Sequence, residues 1–151
     1  MLLLKEKGSE RVAYWGESFH TLDGANRLII PARFREGLGA EIILYKASEG
    51  CLFLYDIPRF EAVTAQLDEL SSTPVGRDKI RLFYSDVTSV SVDRNGRIVL
   101  PADFAEYAGI KTDVALLGLR DRIELWDKDA YLAGTADKDS MPLSRYPEIR
   151  L

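Results

Sequence analysis

The sequence predicts an α+β protein, mainly β with short helices, assembled from two copies of a strand–strand–helix–strand–strand unit joined by a helical connector. Three observations predict it. First, the chain repeats itself: displaced by 70 residues, 22–39 (LDGANRLIIPARFREGLG) aligns with 92–109 (VDRNGRIVLPADFAEYAG), and seven of the 18 pairs are identical. The identities are Asp23/Asp93, Arg27/Arg97, Pro31/Pro101, Ala32/Ala102, Phe34/Phe104, Glu36/Glu106 and Gly39/Gly109. The similarity resumes, one residue out of step, at Leu52-Phe53-Leu54-Tyr55-Asp56 against Ile123-Glu124-Leu125-Trp126-Asp127. Second, short aliphatic runs alternate with polar clusters rich in Gly and Asn. Third, each copy brackets a short stretch between a proline and a glycine, the residues that favour a helix start and a position just past a helix end.

Each copy reads the same way in order. A strand ends at Leu22 or Val92 and a polar turn follows, Asp23-Gly24-Ala25-Asn26 or Asp93-Arg94-Asn95-Gly96. Asn and Gly tolerate the positive φ of tight turns. Residues 27–30 and 97–100 are aliphatic enough for a buried strand. Helices begin at Pro31 and Pro101 and stop before Gly39 and Gly109. A hairpin closes each copy, 41–46 with 51–55 and 113–117 with 122–126. The units are therefore 17–60 and 87–131, with a connector at 61–86 and a tail at 132–151. Phe60, Val63, Leu67 and Leu70 recur at helical spacing, Ser71-Ser72-Thr73-Pro74 interrupts them, and a second helix covers 75–83. The stretch from Gly134 onward lacks periodicity and is expected to be mobile or loosely docked, while the ten or so residues before Arg11 stand as an extension.

Composition excludes several classes. Of 151 residues, 46% are apolar and 29% charged, the mix of a globular chain rather than a disordered one. No apolar run approaches the roughly 20 residues that span a bilayer, and Met1-Leu2-Leu3-Leu4 is cut short by Lys5, so no secretory core is expected. The single cysteine, Cys51, sits in an apolar run and is expected to be a buried, inert thiol in a reducing cytoplasm. The single histidine, His20, is expected on a strand surface; neither residue can build a metal cluster. No phosphate-binding loop, dinucleotide fingerprint or nucleophile elbow occurs, so neither catalysis nor a cofactor or small-molecule substrate is expected. The net charge of −4 excludes a surface that coats nucleic acid as a whole, yet permits a local basic site.

That local site is the repeated Asp-x-x-x-Arg element. A carboxylate at Asp23 or Asp93 can accept from turn amides, a structural use. Arg27 and Arg97 have two uses open to them: pairing with that carboxylate, or presenting a rigid donor fork to phosphate or guanine. Arg27, Arg33 and Arg35 fall within nine residues that contain no acid, whereas the second copy has Asp103 and Ala105 at the latter two positions and keeps Arg94 and Arg97. The first copy is therefore the more basic.

Together, the two Asp-x-x-x-Arg units, the Arg-aliphatic-Pro-Ala segments, the 51–55 run and Arg122-Ile123-Glu124-Leu125-Trp126 resemble the MraZ proteins over about residues 14–131. The resemblance implies tandem SpoVT–AbrB, swapped-hairpin units forming a small β-barrel. It also implies a cytoplasmic, nucleoid-associated transcriptional regulator that binds short direct repeats of double-stranded DNA as a ring-type homo-oligomer. Such proteins usually repress the division and cell-wall gene cluster. The motif carries over onto Asp23 and Arg27 and onto Asp93 and Arg97; Asn26 stands where the family usually has Gly. A ring answers the charge objection, because like copies gather Arg27, Arg33 and Arg35 on one side and multivalency raises avidity. The alternative is an assembly module in which both Asp-x-x-x-Arg motifs are purely structural.

Overall fold

The computed structural model describes residues 3–6, 9–135 and 148. The expectation for the tail falls, beyond Thr135, outside the described residues. An N-terminal hairpin, β1 (Leu3–Glu6) and β2 (Ser9–Val12), occupies the extension, which the aliphatic spacing alone did not disclose. The first unit then runs β3 (Tyr14–Thr21), β4 (Arg27–Ile29), α1 (Ala32–Leu38), β5 (Glu41–Lys46) and β6 (Leu52–Tyr55). α2 (Ile57–Ala65) starts within the expected first unit and runs across the expected boundary at 60 into the connector, followed by a 3-10 turn (Asp68–Ser72) and α3 (Pro74–Ser85). The second unit repeats the order as β7 (Val87–Ser91), β8 (Arg97–Val99), α4 (Ala102–Tyr107), β9 (Asp113–Arg120) and β10 (Ile123–Asp127), and α5 (Lys128–Gly134) follows.

The fold is mainly β with short helices, and its pairing exchanges strands between the copies. The six-stranded antiparallel sheet has the order β3-β9-β10-β6-β5-β7, and β4 pairs with β8 in a separate ribbon. Read by homologous position, the order is palindromic. The first strand of each unit lies on the third strand of the other, the two fourth strands meet in the centre, and the two second strands pair with each other. This is a swapped-hairpin arrangement, and neither unit has a complete sheet without its twin. A 44-residue unit is near the lower limit for a self-sufficient core, so exchange lets two undersized halves bury a common one. That core collects Leu28, Ile30, Ile98 and Leu100 from the ribbon segments, Leu44, Leu54, Leu116 and Ile123 from the sheet, and Phe34 and Phe104 from the short helices.

Local chemistry sets the boundaries. Pro31 and Pro101 stand one residue before α1 and α4. Gly39, at φ 78°, follows α1 directly, whereas Gly109, at φ 67°, lies one residue further past α4. The 71–74 break is the start of α3: Thr73 Oγ1 accepts from Gly76 N at 2.9 Å. β9 extends to Arg120, beyond the expected 117, because β3 pairs with it along eight residues. α5 was not expected from its sequence, although Asp127, the counterpart of the α2 cap Asp56, accepts from Ala130 N at 3.0 Å and marks its start.

Candidate nucleic-acid interface

Each turn of the repeated motif is fixed by one aspartate. Asp23 Oδ1 accepts from the backbone N–H groups of Ala25 and Arg27, both at 2.9 Å, and Oδ2 accepts from Arg27 Nε at 2.7 Å. Asp93 does the same with Asn95 N at 2.8 Å, Arg97 N at 3.0 Å and Arg97 Nε at 3.0 Å. The backbone closes each loop, Asn26 N donating to Asp23 O and Gly96 N to Asp93 O. The residue before each arginine sits in the left-handed region, Asn26 at φ 57° and Gly96 at φ 77°. Asn reaches that region more readily than other side chains, so the departure at Asn26 keeps the turn.

The hydrogen bonds from the turn amides, led by that of Arg27 or Arg97, hold both carboxyls below the ordinary aspartate value of 3.8. A lowered folded-state value means stability that is complete above the ordinary value and lost as pH falls through the lowered one. The thermal midpoint is therefore expected to stay level on acidification to the ordinary carboxylate range and to fall below it. Asp23→Asn, which keeps an amide acceptor but no charge, should remove its share of that slope in a pH series of melting curves.

The two turns are locked to each other. Ile30 N donates to Gly96 O at 2.9 Å and Leu100 N to Asn26 O at 2.8 Å, extending the ladder in which Arg27 faces Val99, Leu28 faces Ile98 and Ile29 faces Arg97. Side chains alternate across a strand. Leu28 and Ile98 are sealed in the core, and Arg27, Ile29, Arg97 and Val99 therefore share the outer face. Because Asp23 and Asp93 occupy Nε, the guanidinium forks of Arg27 and Arg97 are held in place, and among the described residues their terminal nitrogens have no hydrogen-bond partner; the two side chains are 40% and 26% exposed. A two-stranded antiparallel ribbon is one of the elements that the major groove of B-DNA admits.

The other basic residues take separate places. Arg94 is exposed on the second turn. Arg33 donates from Nη2 to Glu17 O at 2.9 Å and lies 4.9 Å from the Phe34 ring, so it leans towards β3. Arg35, two positions on along the same helix, reaches the second turn, where its guanidinium lies against Gly96 and its buried Nε has no hydrogen-bond partner among the described residues. The first unit thus lends a cation to the turn of the second, a juxtaposition that the sequence spacing did not reveal. It also explains the unequal turn residues. A Cβ on Gly96 would collide with Arg35, whereas the helix position equivalent to Arg35 is Ala105, leaving the first turn free to carry Asn26. Gly96→Asn is expected to displace the Arg35 guanidinium from the turn, the end of a flexible side chain, and to lower stability by about 1 kcal/mol, chiefly through the left-handed backbone at that position, whereas Asn26→Gly should shift stability by less than about 0.5 kcal/mol.

The remaining candidates are structural. Cys51 is fully buried, and burial pushes its thiol up to about 12, with the charges of Glu124 and Glu49 adding to the effect. His20 lies half-buried on β3, 2.6 Å from Ser18 Oγ; burial, and then the Arg33 charge, lower its pKa. No group of His, Cys, Asp and Glu suited to a metal ion occurs among the described residues, and no described helix is long and apolar enough to cross a membrane.

The family model described as "MraZ protein, putative antitoxin-like" matches twice, over residues 13–81 and 83–150, one match to each half of the exchanged fold. The chain belongs to the MraZ family. Among curated relatives, the transcriptional regulator MraZ of Acetivibrio thermocellus is 38% identical over 127 residues, covering 83% of this chain and 89% of the relative. That of Desulfitobacterium hafniense is 41% identical over 116 residues, covering 76% and 81%. That of Symbiobacterium thermophilum is 45% identical over 112 residues, covering 74% and 81%. These MraZ relatives are named as regulators of transcription, and none of the three names denotes an enzyme.

Proposed function

We propose that this MraZ-family chain is a sequence-specific DNA-binding transcriptional regulator whose β4–β8 ribbon enters the major groove of short direct promoter repeats. The observation that carries the reading is the pair of aspartate-locked guanidinium forks on the outer face of one ribbon. Arg27 and Arg97 read guanine, while Arg94 and Arg35 at the second turn and Arg33 beside β3 hold phosphates. The names of the relatives support regulation of transcription, with repression of a division and cell-wall gene cluster, in the cytoplasm and on the nucleoid, as the outcome.

Copies of the chain assemble into a ring that sets several ribbons against successive repeats. Val75 and Leu82, 67% and 68% exposed, lie seven residues apart and so on one face of α3, which supports a self-association surface there. Multivalent contact compensates for the net charge of −4.

The test is a salt series of binding to the region upstream of the chain's own gene, followed by fluorescence polarisation on protein of measured mass. Log affinity should fall linearly with log salt, with a slope of about 0.9 for each phosphate neutralised. Binding that is weak at every salt concentration, with a scrambled duplex bound equally well, overturns the proposal and leaves a purely structural role for the two Asp-x-x-x-Arg motifs.

A further inference from the structure

The outer face of the ribbon also carries two aliphatic side chains that the core does not use. Ile29 and Val99 are 53% and 56% exposed, whereas their strand neighbours Leu28 and Ile98 are 0% and 1% exposed. The fold needs only the inner pair. An outward position at the end of a short exposed strand would accept a threonine or a lysine without loss of core, yet both copies of the repeat place a β-branched aliphatic there.

The register gives those two residues a context. Val99 is directly opposite Arg27 and Ile29 directly opposite Arg97. Directly opposed Cβ atoms lie about 4.5–5.5 Å apart, wider than one base-pair step of roughly 3.4 Å and narrower than two, so the two side chains of a pair fall on neighbouring steps rather than on one base pair. Each guanidinium fork therefore has one apolar side chain beside it, and the pseudo-twofold relation of the units repeats the pair. On the floor of the major groove, the C5-methyl of thymine is the apolar feature available to such a side chain.

Resting on the DNA-binding reading above, we propose that Ile29 and Val99 are specificity residues that seat on thymine methyl groups next to the guanines read by Arg97 and Arg27. The ribbon then recognises a mixed guanine–thymine step in each half, hydrogen bonds reading one base and apolar contact the other.

The experiment compares two duplexes of the upstream region, one containing thymine and one with deoxyuridine at every thymine, which keeps the hydrogen-bonding edges and removes the methyl. The full-length wild type is expected to prefer the thymine duplex by about fourfold for each methyl engaged. In the Ile29→Ala, Val99→Ala double variant the ratio should collapse to about one, and in Ile29→Gln, Val99→Gln likewise, with the mass by light scattering unchanged. A ratio that persists in the variants, or sequence-specific binding by the wild type with no ratio at all, overturns the proposal while leaving DNA binding intact. A change in oligomer mass would place the two side chains in subunit contacts and overturn it as well. Failure of the wild type to prefer the upstream region over a scrambled duplex counts instead against the DNA-binding reading itself.

Discussion

Replacing Arg27 and Arg97 together by alanine is expected to weaken binding to the upstream repeats by about 30-fold or more, at a mass and melting temperature close to those of the wild type. Each bidentate guanine contact is worth about 1–3 kcal/mol, and tenfold in affinity corresponds to about 1.4 kcal/mol. The effect on stability is small because both ion pairs with Asp23 and Asp93 are solvent-accessible, and such pairs contribute about 0–1 kcal/mol. The turns keep their backbone closure and their aspartate–amide hydrogen bonds. Lysine at the same positions should rescue little, since an ammonium cannot reproduce a planar fork held at Nε. Unchanged binding by the double variant in a polarisation titration would remove the assigned role; a fall in oligomer mass would move both arginines into assembly.

The second large effect concerns stability. Asp56 is buried at the start of α2, where Oδ2 accepts from the Tyr14 hydroxyl at 2.8 Å and from Arg59 Nη1 at 3.0 Å, and Oδ1 accepts from Arg59 N at 2.9 Å. Arg59 is itself buried and stands 5.1 Å from the Tyr14 ring. The Tyr14 phenol is pushed far above its ordinary value, chiefly by burial and then by the Asp56 charge, so it stays protonated and keeps a proton to donate to Asp56. Asp56→Ala removes a helix cap and the carboxylate of a buried ion pair at once, and breaking such a pair costs about 3–5 kcal/mol. The homologous Asp127→Ala should cost only about 1 kcal/mol, because among the described residues its carboxylate makes one hydrogen bond, the cap bond from Ala130 N. Denaturation of the two variants under one set of conditions checks the contrast; equal losses would show that the buried network adds nothing to the cap.

Much of the local structure was legible in the sequence. The turn at Asp23, the proline before α1, the glycine after it and the break at 71–74 are short-range effects, decided by which dihedrals and hydrogen bonds a few neighbouring residues permit. The internal repeat likewise disclosed the two units and singled out Asp23, Arg27, Asp93 and Arg97. Placement across the chain was not legible, because aliphatic runs such as 27–30 do not tell which side chains face inward. Leu28 and Ile29 read alike in sequence, and only pairing with β8 sends one to the core and the other to solvent.

The same limit applies to charge. Arg33 and Arg35 form one basic cluster in the sequence, but the turn of α1 separates them, one towards Glu17 and the other onto Gly96 of the opposite unit. By itself the sequence determined the repeated strands and helices of the two copies, their order and the prolines and glycines that bracket α1 and α4, since these depend on residues within a few positions of one another. Only the tertiary structure decided the exchange of strands, the shared outer face of Arg27, Ile29, Arg97 and Val99, and the contact of Arg35 with Gly96. Each of these brings together residues between 42 and 106 positions apart, and their proximity is set by burial of a common core that neither half could complete alone.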